Sequence, residues 1–268
     1  MQLFNMQKYQ EFLAATVSTQ IESIESYEID GIKVWLKKAS KRHPKWMYTL
    51  AAWGARLFNV QILTPVPNYG GAASIHCEAS RIQALAAIGV NVPKVLAVSD
   101  QGLLIQDNAQ NNNRLMQLDH ALANTADFDR RFALFQQACE EIKKIHLKHN
   151  YLSEAFARNI LVDEQLNISF IDFETDPNTI LDLDICQARD WLCFLFSTAF
   201  RFSEQERPQV EQYFSNLLQD QPKSLAQLSK LGRRFGWLNQ VKVEKTGNDG
   251  KRMKIFLMFL QKLGQPQS

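Results

Sequence analysis

A chain of 268 residues, 46% hydrophobic and 22% charged, has an ordinary globular composition and is long enough for one two-part domain or two small ones. A formal net charge of +2 gives no general attraction to nucleic acid. The apolar run from Trp191 to Phe200 is too short to span a bilayer. Four scattered cysteines without C-x-x-C spacing favour buried thiols in a reducing compartment over disulfides or zinc.

Taken in order, Met1 to about Ala15 alternates at helical spacing and predicts a short helix. No basic region precedes an apolar core there, so the start does not read as a secretory signal. Strand character follows from Ser18 to Ala39, broken at Asp30-Gly31, a strong hairpin turn. The second run ends Val34-Trp35-Leu36-Lys37-Lys38. One residue changes the face of a strand, so only Lys37 or Lys38 can point into a cleft. Between Thr16 and Asp30 there is no glycine, hence no glycine-rich phosphate loop.

Lys41 to Phe58 predicts a helix opened by Pro44, with Trp46, Leu50, Trp53 and Leu57 on one face and Lys41, Arg42, Lys45 and Arg56 unmatched by any acid. Such a helix suits either core packing with a solvated basic collar or contact with an anionic membrane surface. Pro65-Val66-Pro67 and Gly70-Gly71 lead to a helix from about Glu78 that stops at Gly89. Strands Val95–Val98 and Leu103–Asp107 follow. The Asn/Gln-rich stretch Asn108–Asn113 reads as a linker, and Phe128 to His149 as a long helix. Ile160–Val162 and Ile168–Ile171, around the polar Asp163-Glu164-Gln165, read as a hairpin. Its two ends would bring Asn159 and Asp172 together, an oxygen pair that suits a hard cation such as Mg²⁺. From Glu204 to Leu263 the pattern is helical, with a turn at 247–250.

These pieces resemble, in order, the parts of the protein kinase-like fold. Val34-Trp35-Leu36-Lys37 is similar to the strand carrying the phosphate-binding lysine. Glu78-Ala-Ser-Arg81, running to Gly89-Val-Asn-Val-Pro93, is similar to the helix carrying its ion-pair partner. Ile171-Asp172-Phe173-Glu174 stands where the family has D-F-G, and Ala188-Arg189-Asp190-Trp191-Leu192 follows at the place of a buried structural aspartate. Counting five back from Asn159, or eight on from His146, reaches Glu154, where the family has its catalytic aspartate. The usual H-G preceding it is Leu152-Ser153. The family resembled most is the lipopolysaccharide (Kdo/heptose) kinase-like group, including bacterial toluene tolerance-type proteins.

The resemblance implies an α+β, two-lobed protein kinase-like fold. Residues 1–107 would form a small antiparallel-sheet lobe with the basic Trp-rich helix inserted at 41–58. Residues 108–268 would form a mainly helical lobe carrying the catalytic and metal-binding loops at 145–174. It further implies ATP and Mg²⁺, with Lys37, Glu78 and Asp107 on the nucleotide, Asn159 and Asp172 on the metal, and Glu154 and Arg158 at the chemistry. The acceptor would be a hydroxyl of a saccharide or lipid-linked molecule. The location implied is cytoplasmic or peripheral to the inner membrane through Lys41–Phe58, with no nucleic-acid partner. Two alternatives stay open: a nucleotide-binding scaffold without turnover, favoured by Glu154 in place of aspartate, and a protein-directed or small-molecule kinase.

Overall fold

The structure, a computed structural model, describes residues 2–40, 60–68, 70–108, 114–237 and 247–263. It is α+β, a four-stranded antiparallel sheet joined to a mostly helical part. The chain opens with helix α1 (Gln2–Thr16). Hairpin β1 (Ile24–Ile29) and β2 (Ile32–Lys38) turns through Asp30 at φ 53° and Gly31 at φ 74°. Both residues of a tight type I′ turn need positive φ, which aspartate tolerates and glycine adopts freely. Strands β3 (Lys94–Ser99) and β4 (Gly102–Gln106) complete the order β1-β2-β4-β3.

The pleat of β2 separates two environments. Val34 and Leu36 are fully buried with Leu13 and Val17 at the end of α1, and with Ala97 and Leu104. Trp35 and Lys37 therefore point to the opposite face. That face is covered by α2 (Gly71–Ala87), whose Ile75, Ala79, Ile82 and Leu85 pack with Leu103 and Ile105. The expected start at Glu78 is thus too late by seven residues. Glycine is a poor helix former and hides the first turn from propensity. The expected stop is close: Gly89 at φ 77° donates to Ala86 O, and Val90 donates to Leu85 O. This pair of bonds closes the helix in a Schellman motif.

The helical part begins with β5 (Met116–Gln117) and α3 (Leu118–Asn124). Helix α4 (Phe128–Leu147) starts where Asp127 accepts the Arg130 N–H at 2.8 Å, a side-chain N-cap. It ends as α2 does, with His149 at φ 54° in the glycine place. Hairpin β6 (Ile160–Val162) and β7 (Ile168–Phe170) pairs Ile160 with Phe170. Asp163 forms its turn by accepting the N–H groups of Gln165 and Asn167 at 2.9 and 2.8 Å. Strand β5 adds a third member in the order β5-β6-β7, which two residues could not announce in the sequence. Helices α5 (Leu183–Thr198), α6 (Arg207–Leu217), α7 (Pro222–Phe235) and α8 (Asn248–Lys262) follow. The expected turn at 247–250 gives way to a helix start, because Gly247 at φ 89° precedes α8 directly.

Cys139, Cys186 and Cys193 are buried free thiols and Cys77 is half-buried. Among the described residues no helix is long and apolar enough to cross a membrane. The basic stretch Lys41–Phe58 lies outside the described residues, as do 109–113 of the expected linker.

Candidate functional site

The choice between Lys37 and Lys38 follows from the pleat. Lys38 lies on the α1 side and donates to Gln20 O at 2.7 Å. Lys37 lies on the α2 side and meets both oxygens of Glu78 at 2.8 and 2.7 Å. Glu78 is only 2% exposed, seven residues into α2 rather than at its start. Burial raises its pKa, and the neighbouring Lys37 offsets this in part. Burial pulls the lysine down, but Glu78, Asp172 and Glu174 outweigh it and leave it raised. The ammonium is therefore charged at neutral pH, held among carboxylates.

Asp172 reaches the same ammonium from the end of β7, its Oδ1 3.5 Å from Lys37 Nζ and 135 positions away in the chain. It holds φ 73°, a left-handed conformation that costs a non-glycine residue energy and gathers at functional sites. The hairpin register delivers the other half of the expected pair. Ile160 faces Phe170, so Asn159 comes opposite Ile171, and Ile171 N donates to Asn159 O at 3.0 Å. Asn159 is buried, and its Nδ2 donates to Glu154 O at 3.2 Å. That bond fixes the amide and leaves Oδ1 as its remaining acceptor.

The loop before Asn159 is held from behind by Asp190. This fully buried aspartate accepts the Leu152 N–H at 2.7 Å and lies 3.0 Å from His146 Nε2. The expectation of a buried structural aspartate at Asp190 matches this geometry, and His146 is packed between Asp190 and Gln221. Ser153 turns at φ 84° with a buried hydroxyl that finds no partner among the described residues. Glu154, half-buried, has its pKa raised chiefly by burial, against the pull of Arg189 and with a push from Asp172. Arg158 is exposed and stacks its guanidinium 4.4 Å from the Phe156 ring centre.

Asp107 is not brought into the cluster. Its Oδ2 takes the Trp35 indole N–H at 3.1 Å and lies 2.9 Å from Lys33 Nζ. It thus sits on the same face of β2 as Lys37, toward the end of the sheet where β4 leaves.

Two contributors are absent from the sequence expectation. Glu174, last of Ile-Asp-Phe-Glu, places Oε1 3.3 Å from Lys37 Nζ and accepts Asn68 Nδ2 on Oε2 at 3.0 Å. Arg81, one turn after Glu78, donates to Tyr151 O at 2.6 Å and to Asn150 Oδ1 at 3.1 Å, with its guanidinium 4.0 Å from the Tyr151 ring centre. A carboxylate in the D-F-G glycine place was the available signal for the first. The second had none beyond the E-A-x-R spacing.

Among the described residues no group of three or more His, Cys, Asp or Glu side chains is arranged to hold a metal. Mg²⁺ does not require one, since it is commonly held by one or two side chains together with phosphates and waters. The amide oxygen of Asn159 and the carboxylate of Asp172, at adjoining ends of one hairpin, are hard donors that fit it. No family model and no curated protein matches this sequence.

Proposed function

We propose that the chain is an ATP- and Mg²⁺-dependent phosphotransferase of the protein kinase-like fold, similar to the lipopolysaccharide kinase-like group. The acceptor is a hydroxyl of a saccharide or lipid-linked molecule. The observation that carries this reading is the meeting of Lys37, Glu78 and Asp172 at one point, from a strand, a helix and a hairpin end far apart in sequence. The brace from Asp190 to the Leu152 N–H, at the place of the family's structural aspartate, adds to it.

In this reading, phosphoryl transfer is mostly positioning and charge neutralisation. Lys37, aimed by Glu78, holds nucleotide phosphates, and Asp172 with Asn159 Oδ1 would hold Mg²⁺. When bound, the cation supplies neutralisation of charge on the phosphate oxygens. Glu154 orients the acceptor hydroxyl and takes its proton, a role for which burial raises its basicity toward neutral pH. Arg158 is the nearest cation in sequence that can move toward the transferring group. Location at the cytoplasmic side of a membrane, through the basic stretch 41–58, belongs to the same proposal.

A second reading is a nucleotide-binding scaffold without turnover. Ser153 and Glu154 favour it, because a strained turn and a side chain one methylene longer than aspartate both displace the base. A misplacement of about 1 Å costs roughly 10²-fold in rate.

The deciding experiment is thermal shift with ATP, against ATP plus Mg²⁺, on the wild type and Asp172→Ala. A ligand that binds only the folded state raises the melting temperature by mass action. We expect a Mg²⁺-dependent rise in the wild type that Asp172→Ala loses. An identical rise in the two proteins removes Asp172 from the site. Single-turnover transfer from ATP then separates the kinase from the scaffold.

A further inference from the structure

Lys37 is shared by three carboxylates, and they are not equivalent. Glu78 is buried on α2 and binds the ammonium through both oxygens. Asp172 is the most distant of the three, at 3.5 Å. Glu174 lies between them at 3.3 Å, with about a third of its side chain in solvent. Its second oxygen is held by Asn68 Nδ2, and Asn68 Oδ1 in turn accepts the Gly70 N–H at 3.0 Å. The segment leading to Asn68 is itself tied down. Arg189 on α5 donates to Ile62 O at 2.9 Å and Thr64 O at 2.8 Å. Glu174 is thus pointed at the lysine by a built contact.

A phosphate approaching Lys37 must find a place beside the ammonium. Glu78 cannot yield without dragging buried charge from α2. Glu174 can, since it is partly solvated and its other restraint is one neutral amide. Until it yields, it presents a negative charge to a polyanion. We propose that Glu174 is a specificity-determining residue of the phosphate subsite: it competes with nucleotide phosphates for Lys37 and disfavours a metal-free polyphosphate relative to one that arrives with a divalent cation. This rests on the nucleotide reading above and adds to it a preference for metal-bound over metal-free nucleotide. Asn68 is the positioning residue that keeps the carboxylate on the lysine.

The test is ATP affinity by titration calorimetry, in EDTA and in Mg²⁺, for the wild type, Glu174→Gln and Asn68→Ala. Melting temperature and far-ultraviolet circular dichroism are recorded for each protein. Removing the charge should tighten ATP binding in EDTA by about two- to five-fold, the scale of a partly exposed ion pair. The gain should shrink in Mg²⁺ and in high salt. Asn68→Ala, which keeps the charge but frees it, should shift affinity the same way by less, and keeps the proposal testable if Glu174→Gln fails to fold.

Equal affinities for wild type and both variants in EDTA overturn the proposal while leaving the nucleotide site standing, provided the wild type binds ATP with Mg²⁺. Loss of Mg²⁺-dependent binding in Glu174→Gln also overturns it, because Glu174 then holds the cation. Silence of all three proteins toward ATP, with and without Mg²⁺, removes the nucleotide reading and this inference together.

Discussion

Ser153 combines two costs. Its φ of 84° is a glycine conformation, and its hydroxyl is buried without a partner among the described residues. Backbone strain of this kind costs about 1–3 kcal/mol, and an unsatisfied buried hydroxyl about 1–3 kcal/mol. Glycine's greater unfolded-state freedom returns about 0.5–1 kcal/mol. Ser153→Gly is therefore expected to stabilise the fold, by about 1–2 kcal/mol after partial relaxation. A urea midpoint unchanged or lowered refutes the strain argument. Glu154 carries a cost that depends on pH. Burial raises its pKa above the ordinary 4.5, so between that value and the raised one the folded state binds the proton more readily than the unfolded chain. Stability then falls as pH rises through this window. Glu154→Gln has no such proton to lose, so its melting temperature should exceed that of the wild type at neutral pH, with the gap closing toward pH 4.5. A gap that stays flat or widens on acidification contradicts the assignment. Legibility at this scale differed by residue. Asn159 and Asp172 could be read because one hairpin sets both. Lys37 could not be separated from Lys38 until the sheet register was known. Glu174 acquires its place from Asn68, 106 positions away, which no local pattern carries.

Elements were legible where periodicity and end signals coincide, as in α4 with Asp127 before it and in the β1–β2 hairpin with Asp30-Gly31. They were obscured where tertiary contact replaces local preference. The α2 start carries Gly70 and Gly71 at φ 65° and 63°, and β5 exists only because β6 lies beside it. Gly232 within α7 shows the same priority. Propensity alone favours alanine there by about 1 kcal/mol. A Cβ on Gly232, however, would sit 2.6 Å from Leu260 O and 2.7 Å from Leu260 C on α8. Those are backbone atoms of a packed helix, so neither side can yield by turning a side chain. Overpacking of this kind costs about 1–3 kcal/mol or more, and contact under 3 Å with backbone belongs at the upper end. Gly232→Ala is expected to lower the melting temperature although it improves the helix, and a rise would show that α7 and α8 are not in close contact.

At the scale of the molecule, α2 joins the sheet to the helical part. One core of buried residues runs without a break from Ile75, Ile82 and Leu103 to Phe135, Trp191 and Phe214, while a second, smaller one lies under α1 on the outer face of the sheet. Polar ties follow the same route: Lys148 Nζ to Ile88 O at 2.5 Å, Phe170 N to Asn91 O at 3.0 Å, and Arg81 to Asn150 and Tyr151. Tyr151 continues the chain by donating its hydroxyl to Asp176. A shared core makes the two parts unfold together, so heat should produce one cooperative transition. Arg81 is the tie whose loss tests this, because it is nearly buried yet lies outside the Lys37 cluster. Arg81→Met keeps length and apolar bulk but removes charge-assisted hydrogen bonds, worth about 1.5–3 kcal/mol in similar settings, and the stacking on Tyr151, about 0.5–2 kcal/mol. The transition should move down and remain single. Hydrogen exchange should quicken first in 71–87, since that helix loses its anchor while the sheet keeps its ladder. Since α2 also carries Glu78, the proposed nucleotide site predicts that the variant weakens Mg²⁺-dependent ATP binding although Arg81 lies outside the Lys37 cluster. Two separate transitions would mean that the shared core does not couple the two parts, and exchange that quickens only in α1 would mean that Arg81 merely fills space.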